Sequence, residues 1–132
     1  MKIVISGRVQ SGENDASRWL DKFNEPYSKK TGMAIFPGSL NLALDKNFDW
    51  FKPACQAKVI WFGKEEYGGE RDIFLLPCKL INLGNKNAFL WTPTTAAKDR
   101  PDPWVVEVIT DVKLRDAFSL RDGSIVQIEL DL

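Results

Sequence analysis

The stretch Pro37-Gly38-Ser39-Leu40-Asn41-Leu42-Ala43-Leu44 decides the fold class, because it places a tight turn directly before a strand. Its three leucines alternate with small or polar residues, which is the period-two pattern of a strand with one buried face. Ser39 and Asn41 then share the other face, with a hydroxyl and an amide oxygen roughly 6–7 Å apart along the strand. Two such oxygens could help to hold a magnesium ion that takes its other ligands from phosphates and water, or they could simply face solvent.

Short alternating segments recur on both sides of this strand, and only one firm helix interrupts them. The helix is predicted at about residues 15–30, where apolar residues from Ala16 to Tyr27 mark one face. Strands are predicted at residues 2–9, 40–44, 57–62, 73–76, 79–83, 88–92, 104–109 and 125–130. Strand and helix do not alternate, so the sequence predicts a mostly β fold. We expect one domain over residues 1–132, a closed or nearly closed antiparallel barrel with one flanking helix.

Composition restricts the class of protein. At 132 residues the chain can bury roughly two-thirds of the surface of its unfolded form. Its 18 basic and 18 acidic residues cancel, which argues against a broad surface for duplex DNA or an anionic membrane. Residues 1–7 are too short an apolar run for a signal peptide. We therefore expect a cytoplasmic protein in which Cys55 and Cys78 are reduced and buried.

The sequence contains no histidine. This excludes Ser-His-Asp and Cys-His nucleophilic catalysis, and it removes the common zinc sites. Any chemistry must therefore depend on positioning, metal ions, carboxylates or backbone amides.

Two polar segments could bind an anion. Residues 11–16 join a strand to a helix N-terminus, where amide groups and the helix dipole favour a phosphate. The alternative is an ordinary capped helix start, which Glu13 and Asp15 favour because they would repel a bare phosphate. In residues 112–116, Lys113 and Arg115 flank a predicted turn and could bind a polyphosphate, or they could form a solvated basic edge.

Glu107 is a single carboxylate in the otherwise apolar segment 104–109. Alternation places it on the same strand face as Val105 and Ile109. A carboxylate that faces the interior is costly unless it is paired or used. We interpret Glu107 either as a functional residue or as the partner of a neighbouring Lys or Arg in a salt bridge.

Taken in order, these segments resemble one family, the archaeal-type CTP-dependent riboflavin kinases. The resemblance covers nearly the whole chain, and its most specific part is residues 36–45, which are similar to the family's PGTLN signature. Weaker matches are residues 7–12, 76–77, 84–86, 107–109, 113–116 and 120–124. The family folds as a compact six-stranded barrel of the cradle-loop type, in agreement with the fold predicted from the residue pattern.

The resemblance implies phosphoryl transfer from CTP to the terminal ribityl hydroxyl of riboflavin, giving FMN. It implies that Ser39 and Asn41 bind Mg²⁺. It also implies that Glu107 binds the flavin, as a candidate catalytic residue that orients the ribityl chain or accepts a proton. Thr95 is the nearest match to a flavin-binding threonine, with Thr94 as the alternative. The implied nucleotide-binding residues are Gly12, Glu13, Asn14, Asp15, Ala16, Val112, Lys113, Leu114 and Arg115.

The chain departs from the family in the glycine-rich GxGxG nucleotide loop, of which only the first glycine, Gly12, is present. Side chains at Asn14 and Ala16 would narrow that loop, and we expect them to weaken or re-specify nucleotide binding. Two other functions therefore stay open. One is a barrel that binds a flavin or nucleotide without turnover. The other is a regulator related to DNA-binding cradle-loop barrels, against which the zero net charge argues.

Overall fold

Seven strands and five short helices form the part of the chain that the computed structural model describes, which is residues 1–12, 15–94 and 101–132. The strands are β1 (Lys2–Gln10), β2 (Leu40–Leu44), β3 (Ile60–Phe62), β4 (Ile73–Leu80), β5 (Lys86–Pro93), β6 (Val105–Ile109) and β7 (Ile125–Asp131). The helices are α1 (Asp15–Lys22), α2 (Asn24–Thr31) and the single turns α3 (Pro53–Gln56), α4 (Lys64–Tyr67) and α5 (Leu114–Ala117).

Six antiparallel strands close a barrel in the order β4-β5-β6-β2-β1-β7, and β7 returns to pair with β4. The predicted mostly β, closed six-stranded barrel is thereby confirmed. The seam is short, since β4 and β7 are joined only through Lys79↔Glu129 and Leu80↔Ile128 among the described pairings. The remaining strand, β3, lies outside the ring and pairs with the first residues of β4.

Residues 73–80 form one strand, although the sequence pattern predicted two strands separated by Pro77. The proline is tolerated because of its place in the barrel. In the described pairings, β4 has β3 as its second neighbour at residues 73–75 and β7 at residues 79–80, but no second neighbour at residue 77. A residue without an N–H group fits there at little cost to the sheet.

The flanking helix is divided into two, α1 and α2, at Phe23. Pro26 explains the division, because a proline cannot donate to the carbonyl four residues earlier and its ring clashes with that carbonyl at Lys22. The side-chain amide of Asn24 donates to the carbonyl of Ile35 at 2.7 Å, which ties the start of α2 to the segment before β2. Among the described residues, the structure contains no helix with the length and apolar character that a membrane span requires.

Alternating residues of the strands build two separate apolar cores. In β4, Phe74 and Leu76 face the barrel interior, whereas Ile73 and Leu75 face outward into a second core. The helices cover this outer core with Leu20 of α1 and other apolar side chains. Because the helical layer covers only part of the barrel wall, a cleft opens beside it, and the polar residues identified in the sequence line that cleft.

Candidate functional site

The cleft has a volume of about 1010 Å³ and lies between the barrel wall and α1. Three polar segments border it: the end of β1, the turn that leads into β2 together with the facing β6, and the segment that leads into α5. Most of the site residues expected from the sequence therefore belong to one concavity. They are Gly12, Ala16, Ser39, Asn41, Glu107, Val112, Lys113, Leu114 and Arg115.

Ser39, Asn41 and Glu107 are brought together by the pairing of β2 with β6. Asn41 lies directly opposite Glu107 in the register, and Ser39 Oγ donates a hydrogen bond to Glu107 Oε1 at 2.8 Å. The leucines of β2 are buried in the barrel core, so the intervening polar side chains point to the cleft. Val105, Glu107 and Ile109 share one face of β6, as the alternation predicted. That face is the outer side of the barrel and not the interior expected from the sequence, since Val106 and Val108 occupy the interior.

The side-chain amide of Asn41 lies over the backbone of Gly12. A Cβ atom built on Gly12 would fall 1.8 Å from Nδ2 of Asn41, well inside any permissible contact. Gly12 follows β1, which is paired with β2 through Gln10 opposite Asn41. Gly12 must therefore lack a side chain for the amide of Asn41 to occupy its place.

The oxygen donors on this face fit a magnesium ion. A hydroxyl, an amide and a carboxylate, from Ser39, Asn41 and Glu107, are hard ligands of the kind that Mg²⁺ takes in proteins. Within the described ranges, no group of three or more Cys, Asp or Glu side chains is placed to hold a metal. An ion here would need ligands from outside the protein, such as phosphate oxygens and water.

The basic segment 113–115 is anchored to the barrel by Leu114, which is buried in the inner core. Its neighbours remain accessible. Lys113 is 55% exposed and lies 3.8 Å from Asp116, and the guanidinium of Arg115 lies 2.7 Å from Asp122. The two cations thus border the same cleft as the oxygen donors of β2 and β6.

An aromatic wall of the cleft was not predicted as part of the site. The apolar helix face suggested that Trp19 and Phe23 belong to the core, yet both line the cleft, and Trp19 is 37% exposed. Their rings are nearly parallel, at 4° with centroids 6.2 Å apart, and Tyr67 meets Phe23 edge-on at 5.0 Å. Apolar periodicity cannot separate a cleft wall from a core, because both require an apolar face.

Ala16 differs from the loop residue that the resemblance implied. It lies in the first turn of α1 and packs into the outer core, where it is 7% exposed. Its methyl group is therefore part of the outer core in addition to bordering the cleft. Arg18 and Arg71, which the sequence did not single out, also line the cleft and add positive charge to it.

Three of the expected site residues, Glu13, Asn14 and Thr95, lie outside the described residues, as does the side chain of Asp15. The alternative threonine, Thr94, is 9% exposed. Its N–H group donates to the carbonyl of Asp72 at 2.9 Å, which fixes the backbone just after β5.

Comparison with known proteins matches residues 9–130 to the family model CTP-dep_RFKase, described as the domain of unknown function DUF120. The chain is 30% identical over 136 residues to a riboflavin kinase of Pyrobaculum aerophilum, covering 97% of this chain and 60% of the relative. It is 30% identical over 135 residues to a riboflavin kinase of Methanocella arvoryzae, covering 97% of this chain and 57% of the relative. A riboflavin kinase of Staphylothermus marinus, 25% identical, is covered over 92% of its length. The chain thus spans about 60% of the length of the first two relatives.

Proposed function

Because this chain belongs to the CTP-dependent riboflavin kinase family, we propose that it transfers a phosphoryl group from CTP to the terminal ribityl hydroxyl of riboflavin, giving FMN. The observation that carries the proposal is the convergence of Ser39, Asn41 and Glu107 with Lys113 and Arg115 on one cleft. Phosphoryl transfer requires positioning and charge stabilisation more than covalent chemistry by the protein, which suits a chain without histidine. We place the reaction in the cytoplasm, where free, buried Cys55 and Cys78 stay reduced.

Ser39 and Asn41 are the proposed ligands of Mg²⁺. When bound, the ion supplies positive charge that offsets the developing negative charge on the phosphates. The hydrogen bond from Ser39 to Glu107 orients both side chains before any ligand arrives, and Gly12 gives Asn41 room to reach the same place. The protein's contribution at this end of the cleft is therefore a prearranged set of oxygen atoms.

Glu107 is proposed to contact the ribityl chain. A carboxylate offers about four lone-pair sites, so Glu107 can accept hydrogen bonds from several donors at once, Ser39 Oγ and a substrate hydroxyl among them. In that place it would either orient the acceptor hydroxyl or take its proton. Thr95, or else Thr94, is the proposed second polar contact of the flavin.

The planar ring system of riboflavin matches the aromatic wall of Trp19 and Phe23. Aromatic side chains bind flat ligands by offset stacking while excluding water from the faces of both rings. Lys113 and Arg115, which border the same cleft, are proposed to bind the nucleotide phosphates, together with Val112, Leu114 and the segment of residues 12–16. Glu107 borders the same cleft as the aromatic wall and the two cations, and we propose that the acceptor hydroxyl meets the donor phosphate beside its carboxylate.

The proposal is tested by incubating the purified protein with riboflavin, magnesium and each of CTP, ATP, GTP and UTP, and by separating FMN from riboflavin chromatographically. We expect FMN with CTP as the preferred donor. Tight flavin binding without FMN from any donor would instead identify a non-catalytic binding module. Failure to bind either flavin or nucleotide would overturn the proposal.

A further inference from the structure

The reverse turn of residues 121–124 is held rigidly against the end of β1. The N–H group of Gly123 donates to the carbonyl of Val9 at 2.8 Å, and the N–H group of Val9 donates to the carbonyl of Ser124 at 2.8 Å. Gly123 has a φ of 91°, which a residue with a Cβ atom adopts only under strain. The position of the turn relative to β1 is therefore fixed by the backbone.

Asp122 lies in this turn and joins two segments that are far apart in the sequence. Its carboxylate accepts from Ser11 Oγ at 3.0 and 3.2 Å, and its Oδ1 accepts from the guanidinium of Arg115 at 2.7 Å. These contacts hold the pKa of Asp122 below its usual value, chiefly because of Arg115. The carboxylate therefore stays ionised and keeps both contacts at neutral pH.

Both partners of Asp122 belong to the nucleotide side of the cleft. Ser11 and Arg115 line the cleft, whereas Asp122 does not. Ser11 directly precedes Gly12, over which the amide of Asn41 is placed. A displacement of Ser11 would therefore move Gly12 and, with it, the amide of Asn41 in β2. A displacement of Arg115 would move a cation that is proposed to bind phosphate.

On the basis of the proposed function, we propose that Asp122 is a positioning residue for the nucleotide. Its carboxylate holds Arg115 and Ser11, at the start of the strand–helix loop, in fixed positions relative to each other. A guanidinium carries five N–H donors, so the bond to Asp122 leaves other donors of Arg115 to face a phosphate. Since these positions are set before binding, Arg115 and Ser11 lose less conformational freedom when the nucleotide binds. Asp122 does not line the cleft, so its carboxylate is not among the groups that a phosphate bound there would contact.

The test compares Asp122→Asn with the wild type and with Asp131→Asn. Asp131 is a matched control, because it is also an exposed aspartate in an exposed ion pair, at the opposite end of β7. For Asp122→Asn we expect the KM for CTP to rise about five- to tenfold, which corresponds to the loss of two exposed polar contacts. The value of kcat should change by less than about twofold. Asp131→Asn should change neither constant.

A second variant separates positioning from a merely structural ion pair. If Asp122 acts through Ser11, then adding Ser11→Ala to Asp122→Asn should raise the KM little further, because contacting residues are not additive. A lowered melting temperature with an unchanged KM for CTP would overturn the proposal, and so would fully additive effects of the two substitutions.

Direct titration with magnesium and CTP, followed by tryptophan fluorescence without riboflavin, distinguishes this proposal from the proposed function. If no FMN forms but Asp122→Asn weakens this binding, the kinase proposal fails and the positioning role stands. If FMN forms and the affinity for CTP is the same in both proteins, the kinase proposal stands and the positioning role is wrong. If CTP does not bind the wild type, the positioning role is wrong as well.

Discussion

The amide nitrogen of Asn41 lies 1.8 Å from the point where a side chain on Gly12 would begin. Gly12 follows β1, and Asn41 lies in the neighbouring strand β2. The amide of Asn41 can keep its place only if Gly12 lacks a Cβ atom. Glycines in nucleotide-binding loops are usually explained by close approach of the ligand to the backbone. In this protein Gly12 must lack a side chain because Asn41, a residue of the proposed metal site, occupies that space.

The first prediction concerns Gly12→Ala. The added methyl group must displace the amide of Asn41, so we expect the affinity for magnesium and CTP to fall by about tenfold or more, the equivalent of one hydrogen bond to a charged group. The fold should survive, because Gly12 is exposed. Gly32→Ala is the control: it introduces strain at a φ of 76° with open space around it, and should lower stability while leaving affinity unchanged. Equal affinities in all three proteins would contradict the prediction.

The second prediction is that Asn41→Ala abolishes magnesium-dependent nucleotide binding and leaves the fold intact. The expected loss follows from the removal of one of two neutral oxygen ligands. Asn82→Ala is a matched control, because the Asn82 amide bridges the carbonyl of Ile125 and the N–H group of Gln127. That variant should unfold at a lower temperature and bind nucleotide normally. Unchanged nucleotide affinity in Asn41→Ala would exclude its role in the metal site.

The third prediction concerns Glu107→Gln, which keeps the shape of the side chain but removes its charge. A charge-assisted hydrogen bond contributes roughly 1.5–3 kcal/mol, so flavin affinity should fall by about tenfold or more. Equilibrium titration with riboflavin measures the affinity, and thermal unfolding of the same variant measures stability. Loss of stability with retained flavin affinity would instead support the structural salt bridge that the sequence left open.

The fourth prediction concerns the outer core. Trp91 Nε1 donates to the hydroxyl of Tyr27 at 2.9 Å, and both side chains are buried. Tyr27→Phe leaves the indole N–H group without its acceptor, which should lower the free energy of unfolding by about 1–3 kcal/mol. Tyr67→Phe is the control: its hydroxyl donates to the carbonyl of Arg71 at an exposed site, where water can replace it. Urea denaturation should show the larger loss for Tyr27→Phe, and equal losses would contradict this account.

The fifth prediction is that neither thiol reacts while the protein is folded. Burial raises the pKa of Cys78 to about 12 and, with a smaller contribution from the charge of Asp49, that of Cys55 to about 11. The thiolate is the reactive form, so at pH 8 about one molecule in a thousand or fewer carries it at either position. A thiol reagent should modify both cysteines in urea and neither in native buffer. Rapid modification of the native protein would show that one of them is accessible.

The alternating leucines of β2 were enough to predict a barrel strand, because burial of one face fixes a period of two. The same pattern put Glu107 on one strand face with Val105 and Ile109. It indicated that this face is the interior, which in the closed barrel is lined by Val106 and Val108 instead. Long-range pairing could not be predicted in this way, since nothing local in the sequence indicates that Asn41 lies opposite Glu107. That register depends on the whole order of strands around the barrel.

Three local features were also not predicted from the sequence. Pro77 lies in the middle of β4 because the strand's second edge has no described partner at that residue, which is a property of the assembled sheet. The helix ends at Lys22 because of Pro26 four residues later, a rule that could have been applied to the sequence. The wall position of Trp19 could not have been inferred from its helix, since apolar walls and apolar cores have the same periodicity.

The β7 strand pairs with β1 along seven residues and with β4 at the seam, so the first and last strands of the chain share one sheet. During synthesis, β1 leaves the ribosome more than a hundred residues before β7. Until then β1 and β4 each have an unpaired edge that can associate with other chains. Expression yield should therefore be more sensitive to substitutions on the buried face of β7, such as Ile128→Asn, than the final stability alone would suggest.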